Sequence, residues 1–319
     1  MVAQSCYHDA VGVERSTGTR VRGKTIVRAV IAWVILCAGV GLAITLARLV
    51  GRWVDGGAAF VPVLQAVFVS VMVVPAIVAL RRKADRKALS GIGVSRRWGR
   101  AALIGAGIGL GVGLLVWAPA AALGWIRIER IDLADFLAFL AINTLVLLLY
   151  EAVPEELALR GYGWTSIRDV WAPYIATIAI TVLFCLSSAL ISVFQTSSAL
   201  ITGIEANGIS LVPPGNDPIA YLLQLVLFGL ALIAARRLPL PGALFAAIMF
   251  HLTQLTINRV ILGGLGWIES GVQVDFVEPD AIALVLAHIA LSGVLFIITR
   301  KWMERRSKAS AGREPRIVP

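Results

Sequence analysis

Charge is what this sequence has least of. Of its 319 residues only 15% are Asp, Glu, Lys or Arg while 58% are hydrophobic, against roughly 25% charged and 45–50% apolar in soluble domains. A soluble core cannot absorb that much apolar surface. Cysteine is equally scarce: Cys6, Cys37 and Cys185 are scattered and odd in number, with Cys37 and Cys185 inside apolar runs. That excludes a disulfide framework or a cysteine metal cluster. No internal repeat and no separate soluble domain is visible, and no linker exceeds 195–217. The apolar run after the polar first residues, which include Asp9 and Glu14, is too long for a signal peptide and lacks a clear cleavage pattern. No cleaved targeting segment is therefore expected.

What is present is a series of apolar runs near the roughly 20 residues that a helix needs to cross a bilayer. Spans are read at about 26–50, 59–80, 101–125, 134–153 or beyond, 173–194, 218–235, 242–262 and 280–299. The expected fold is all-α: a polytopic membrane protein of about eight transmembrane helices, because only a helix or a closed barrel satisfies its backbone in hydrocarbon. The organisation expected is a basic N-terminal tail at 1–25, a three-helix region at 26–125, a helical core at 134–299 and a basic tail at 300–319, both tails poorly ordered.

The net charge of +10 fits this reading. Arg81, Arg82, Lys83, Arg86, Lys87, Arg96, Arg97 and Arg100 follow the second span, Arg236 and Arg237 end the sixth, and Arg300 opens the last tail. The loops carrying Glu205 and Asp217, or Glu269, Asp275 and Glu278, hold no lysine or arginine. Basic segments stay cytoplasmic, so both termini are read as cytoplasmic, with only Arg127 and Arg130 against the pattern. The basic residues are assigned to topology and anionic headgroups rather than to nucleic acid. The partners expected are the lipid bilayer of the plasma membrane and a peptide or membrane protein. The run Gly105 to Gly113 looks like a dinucleotide loop but lies in a span without a preceding strand, where glycines let helices approach closely.

Chemistry concentrates in Tyr150-Glu-Ala-Val-Pro-Glu-Glu-Leu-Ala-Leu-Arg-Gly-Tyr-Gly-Trp164, three carboxylates and an arginine at the end of an apolar helix. Such groups are expensive in a membrane and mark function. Glu156 and Arg160 are four apart and pair in the favoured order, which leaves Glu155 free as a general base for water. A capping or interfacial charge cluster is the plainer alternative. Alternating topology sets Glu155 near the cytoplasmic face, His251 about 15 Å further in, and Ser188 deeper still. A site then closes only if the fourth helix tilts or 161–172 starts the fifth helix early. Ser187 and Ser188 are expected to bond back to helix carbonyls.

Glu155-Glu156-x-x-x-Arg160-Gly161 resembles the first motif of the CAAX-protease and bacteriocin-processing (CPBP) family, also called Abi, of glutamate-dependent intramembrane metalloproteases. The resemblance implies that Glu155 activates water, that Glu156 and Arg160 support it, and that histidines on two later helices bind or orient a metal and the oxyanion. The family's Phe-x-x-x-His motif falls on Phe184-Cys-Leu-Ser-Ser188, where serine replaces the histidine. Its third motif, a histidine four residues before an asparagine, meets His251 and Leu255. Gln254 and Asn258, three and seven residues after His251, face the same way and can substitute.

The implied cofactor is zinc, held by Glu155 and His251 with His288 on the eighth span as a further candidate; His8 receives no role. A catalytic zinc normally takes three protein ligands, and Ser188 is a poor one. Three functions follow as expectations. The first is a metalloendopeptidase similar to the CAAX prenyl proteases, cleaving a peptide bond of a membrane-associated substrate. The second is a catalytically degenerate member that binds a membrane partner. The third is a small proton-coupled transporter using Glu155 and His251 as a relay.

Overall fold

The computed structural model describes the backbone of residues 3–205 and 208–311 and the side chains of 23–205 and 208–309. Eight helices in it are long and apolar enough to cross a membrane: α1 (Gly23–Gly51), α2 (Phe60–Ala84), α3 (Gly99–Ala122), α4 (Leu133–Arg168), α5 (Pro173–Thr202), α6 (Pro218–Arg236), α7 (Leu244–Ile261) and α8 (Pro279–Ala309). The chain is an all-α polytopic membrane protein.

Several boundaries differ from the expected ones. Helical backbone begins at Ala3 and runs unbroken to Gly51, so 3–25 is helix rather than a loose tail; the side chains of Cys6 and His8 lie outside the described residues. The last helix likewise continues to Ala311. The fourth span, expected to end at about 153 or beyond, reaches Arg168, and the fifth extends to Thr202, into the segment expected as the 195–217 loop. Near Leu186 α5 is interrupted, and it ends at Gly203, whose φ of +67° closes the helix in the left-handed region.

Local chemistry sets the helix starts. Asp132 caps α4 by accepting from the Ala134 and Asp135 amides at 3.1 Å, and Asp217 caps α6 by accepting from the Ala220 amide at 2.8 Å. The turn before α7 needs Gly242: its φ is +73°, and a Cβ there would stand 2.8 Å from the Trp98 Cα.

Two small antiparallel ribbons lie at one end of the bundle. Strand β1 (Ile126–Ile131) pairs with β4 (Val272–Phe276), and β2 (Gly264–Leu265) with β3 (Ile268–Glu269). The ribbon accounts for Arg127 and Arg130, which broke the charge pattern. Arg127 stands opposite Asp275 in register and 3.6 Å from Glu129, while Arg130 pairs with Asp132 at 3.3 Å, so both are locally matched. The basic segments gather at the other end, where Lys87 of the loop after α2 meets Asp169 after α4 at 3.1 Å and Trp98 stacks on Phe245.

Lipid tails give helices no hydrophobic reason to associate, so close backbone approach has to do it. On α3 the glycines divide by face. A Cβ on Gly105 would strike the Ala246 backbone of α7, one on Gly109 the Thr253 hydroxyl, and one on Gly113 would come 2.6 Å from Ile257; Gly107 and Gly111 meet nothing. Gly105→Ala should therefore destabilise by about 1–3 kcal/mol through overpacking. Gly107→Ala should be neutral or stabilising, by up to ~1 kcal/mol of helix propensity. Thermal unfolding of both variants in the same detergent checks the contrast, and equal behaviour would contradict the assignment of faces.

Candidate active site

The site starts from a proline inside α4. Pro154 has no amide hydrogen and its ring collides with the carbonyl four residues back, which a regular α-helix cannot absorb. The helix widens instead, with π turns at Leu148–Ala152 and Glu156–Gly163 on either side of Val153–Glu155. Within the first wide turn the Leu149 carbonyl accepts from the Ser70 hydroxyl of α2 at 2.6 Å. Such bulges recur at functional sites. In a plain α-helix Glu151 and Glu156 would point about 140° apart at 100° per residue. A π turn bonds i to i+5, so residues five apart come to one face.

Both carboxylates accordingly meet His251 of α7. His251 Nδ1 is 3.1 Å from Glu156 Oε1, and His251 Nε2 is 3.8 Å from Glu151 Oε2. Glu156 Oε1 also accepts from Arg160 at 3.1 Å, both side chains being 0% exposed. A carboxylate paired with a guanidinium only accepts, so Nδ1 carries the hydrogen toward Glu156 and Nε2 faces away. The Arg160 guanidinium lies 4.2 Å above the Phe184 ring, and Phe228 presents its ring edge-on to His251 at 4.9 Å.

The network continues beyond the residues expected. Glu151 Oε1 accepts from Arg259 at 2.7 Å, Arg259 also donates to Asn143 Oδ1 at 2.9 Å, and Asn143 donates to the Thr256 hydroxyl at 3.1 Å. Sequence reasoning counted Glu151 among the carboxylates without giving it a role and passed over Arg259. The available signal was an opposite pair of charges inside two apolar spans, a combination that membranes rarely tolerate unpaired.

Among the described residues Glu155 has no hydrogen bond and no ion pair, yet it interacts electrostatically with His251, Glu151, Arg160 and Glu156. It is half-buried, beside a Glu151 side chain that is 24% exposed, so this edge of the cluster opens toward the bundle surface. Gln254 and Asn258 are buried on the His251 face of α7, and both Gln254 amide atoms, Asn258 Oδ1, His251 Nε2 and Glu156 Oε2 lack a hydrogen-bond partner. Because α4 continues to Arg168, Glu155 lies about 20 Å from that helix end at 1.5 Å per residue. The expected mismatch in depth between Glu155 and His251 does not arise, and residues 161–168 extend the fourth helix rather than the fifth.

Two expected residues are engaged differently. Ser188 Oγ is 2.7 Å from the Tyr221 hydroxyl of α6 instead of bonding back along its helix, whereas Ser187 does donate to the Leu183 carbonyl at 2.9 Å. His288 does not join the cluster. Its Nε2 donates to the Gly109 carbonyl at 2.9 Å and its ring packs by Gly113 on the α3 side of α7, because the glycine face of α3 leaves a carbonyl within reach. As for a metal, His251 Nε2 and Glu155 are two donors and Glu151 is held by Arg259. Among the described residues no three His, Cys, Asp or Glu side chains form a group able to hold an ion, so the arrangement falls short of a three-ligand zinc site.

The fold and the site together define a multi-pass helical membrane protein with a buried acid, base and histidine cluster. The sequence matches no family model, no curated protein and no solved structure.

Removing one member of a buried ion pair leaves the other charge stranded, at a loss of about 3–5 kcal/mol. Arg160→Met alone should lower unfolding stability by that order, and Arg160→Met with Glu156→Gln should recover most of it. Thermal or SDS-induced unfolding of the single and double variants measures the coupling.

Proposed function

We propose that this chain is an intramembrane hydrolase of the CPBP type that cleaves a peptide bond of a membrane-associated substrate. The observation that carries the reading is the division of labour among the carboxylates. Glu156 is committed to Arg160 and His251 and Glu151 to Arg259, so Glu155 is left free beside the imidazole. A fixed carboxylate with committed neighbours suits general-base chemistry. In this reading Glu155 takes a proton from water, and the hydroxide adds to the substrate carbonyl. His251 Nε2, whose ring hydrogen sits on Nδ1, accepts from the water, and the Gln254 amide, which has no hydrogen-bond partner among the described residues, donates to the developing oxyanion. Collapse breaks the C–N bond, and Glu155 returns its proton to the leaving amine. Zinc belongs to this reading only with Glu151 released from Arg259 to join His251 and Glu155 as a third ligand; the proton transfers above run on the carboxylate alone.

A second reading, a degenerate member that holds a membrane protein partner without cleaving it, is favoured by the Ser188–Tyr221 hydroxyl pair, which stands where the family's motif has a histidine.

Reconstituted protein challenged with quenched fluorescent peptides that partition into vesicles separates the two. Glu155→Gln should lose about 10²–10⁴-fold in cleavage rate with its unfolding temperature unchanged, and Ser188→His should raise the rate. Cleavage that persists in Glu155→Gln, or is absent from every preparation including Ser188→His, would sink the hydrolase reading. Metal analysis of the same samples, before and after chelator, decides whether zinc takes part.

A further inference from the structure

At the basic end of the bundle two arginines, Arg236 and Arg168, converge on one indole, with Arg237 and Arg300 linked to them electrostatically, independently of the site above. Arg236, in the last turn of α6, is 8% exposed. Its guanidinium lies so close to Gly93 that a Cβ there would stand 2.6 Å from Arg236 Cζ, and Gly93 has a φ of +87°. The guanidinium centre is 5.8 Å from the Trp164 ring centroid, and that of Arg168, at the end of α4, is 4.8 Å from the same ring. Arg236 Nε is buried without a hydrogen-bond partner, and among the described residues no carboxylate or carbonyl bonds this side chain. Arg168 acts electrostatically on both Arg236 and Arg237, and Arg300 acts on Arg237. Among the described residues Glu304 acts on Arg237 and stands 3.7 Å from Arg300, while Asp169, next to Arg168, is held by Lys87 at 3.1 Å. Burial, and then the charge of Arg300, hold the Arg237 guanidinium below the usual arginine range.

A buried, unpaired guanidinium with like charges around it is unfavourable twice over, through desolvation and through repulsion. The C-terminal dipole of α6 offsets part of one charge, but Arg168 and Arg237 add like charge beside it. A guanidinium fork matches phosphate oxygens in geometry as well as in sign, and basic pockets between helices at a membrane face take lipid headgroups. We propose that Arg236, Arg168 and Arg237, backed by Trp164 and Gly93, form a binding site for a phosphate-bearing anion, the headgroup of an anionic phospholipid or a free phosphate.

The test uses the full chain in mild detergent and native mass spectrometry, with phosphatidylglycerol and phosphatidylcholine of equal chain length supplied together. The expected result is selective retention of phosphatidylglycerol. That retention should fall about fivefold in Arg236→Gln and about fivefold in Arg168→Gln, and be unchanged in Lys83→Gln, which removes an exposed charge at the same end. Arg168 is exposed, so its variant carries the test even if Arg236→Gln fails to fold. Retention undisturbed by millimolar inorganic phosphate identifies the lipid as the source. Displacement by phosphate, with phosphate alone raising the unfolding temperature of the wild type but not of Arg168→Gln, identifies the free anion. Equal retention of the two lipids with no effect of phosphate, or equal losses in all three variants, overturns the proposal.

Discussion

A carboxylate and a guanidinium that are both wholly removed from solvent, inside a bundle meant for hydrocarbon, have no tolerable condition other than each other's company. Glu156 and Arg160 are such a pair, and much of the interior is arranged around them. Phe184 covers the guanidinium, His251 joins Arg160 on the same carboxylate oxygen, and Phe228 packs crosswise on the imidazole. The wide turns of α4 let a second carboxylate, Glu151, reach the same imidazole and carry the polar chain on through Arg259 to Asn143 and Thr256. Packing and chemistry are therefore not separable here: the residues that keep the charges satisfied are those that leave Glu155 unengaged.

The position of His251 depends on a contact on the far side of its helix. Gly105, Gly109 and Gly113 let α3 press against the Ala246, Thr253 and Ile257 face of α7. That contact fixes the rotation of α7, and the opposite face, with His251, Gln254 and Asn258, is thereby turned toward α4. Small residues act similarly between α1 and α5, where a Cβ on Gly41 would meet the Ile191 carbonyl at 2.8 Å and Thr45 bonds Ser198 at 2.7 Å.

The eight spans and the Glu156–Arg160 pairing were legible in the chain because both rest on local rules, apolar run length and a four-residue helical spacing. The full extent of α4, as far as Arg168, was not. Three carboxylates, a proline and an arginine read as a terminus, but residues 156–167 are buried against protein, an environment that hydropathy along the chain does not register. The Glu151–Arg259 pair joins residues far apart in sequence, and no local spacing announces it. His288 matched a composition rule for metal ligands, yet its fate was decided by a carbonyl on α3 that only the packed bundle brings near.

The β1–β4 ribbon joins the connection between α3 and α4 to the connection between α7 and α8. Backbone hydrogen bonds thus tether at one end the same helices that the glycine face of α3 holds together along their length. Main-chain bonds do not depend on which side chains the strands carry, so this clasp would hold the two connections together through substitutions that alter the cluster between α4 and α7.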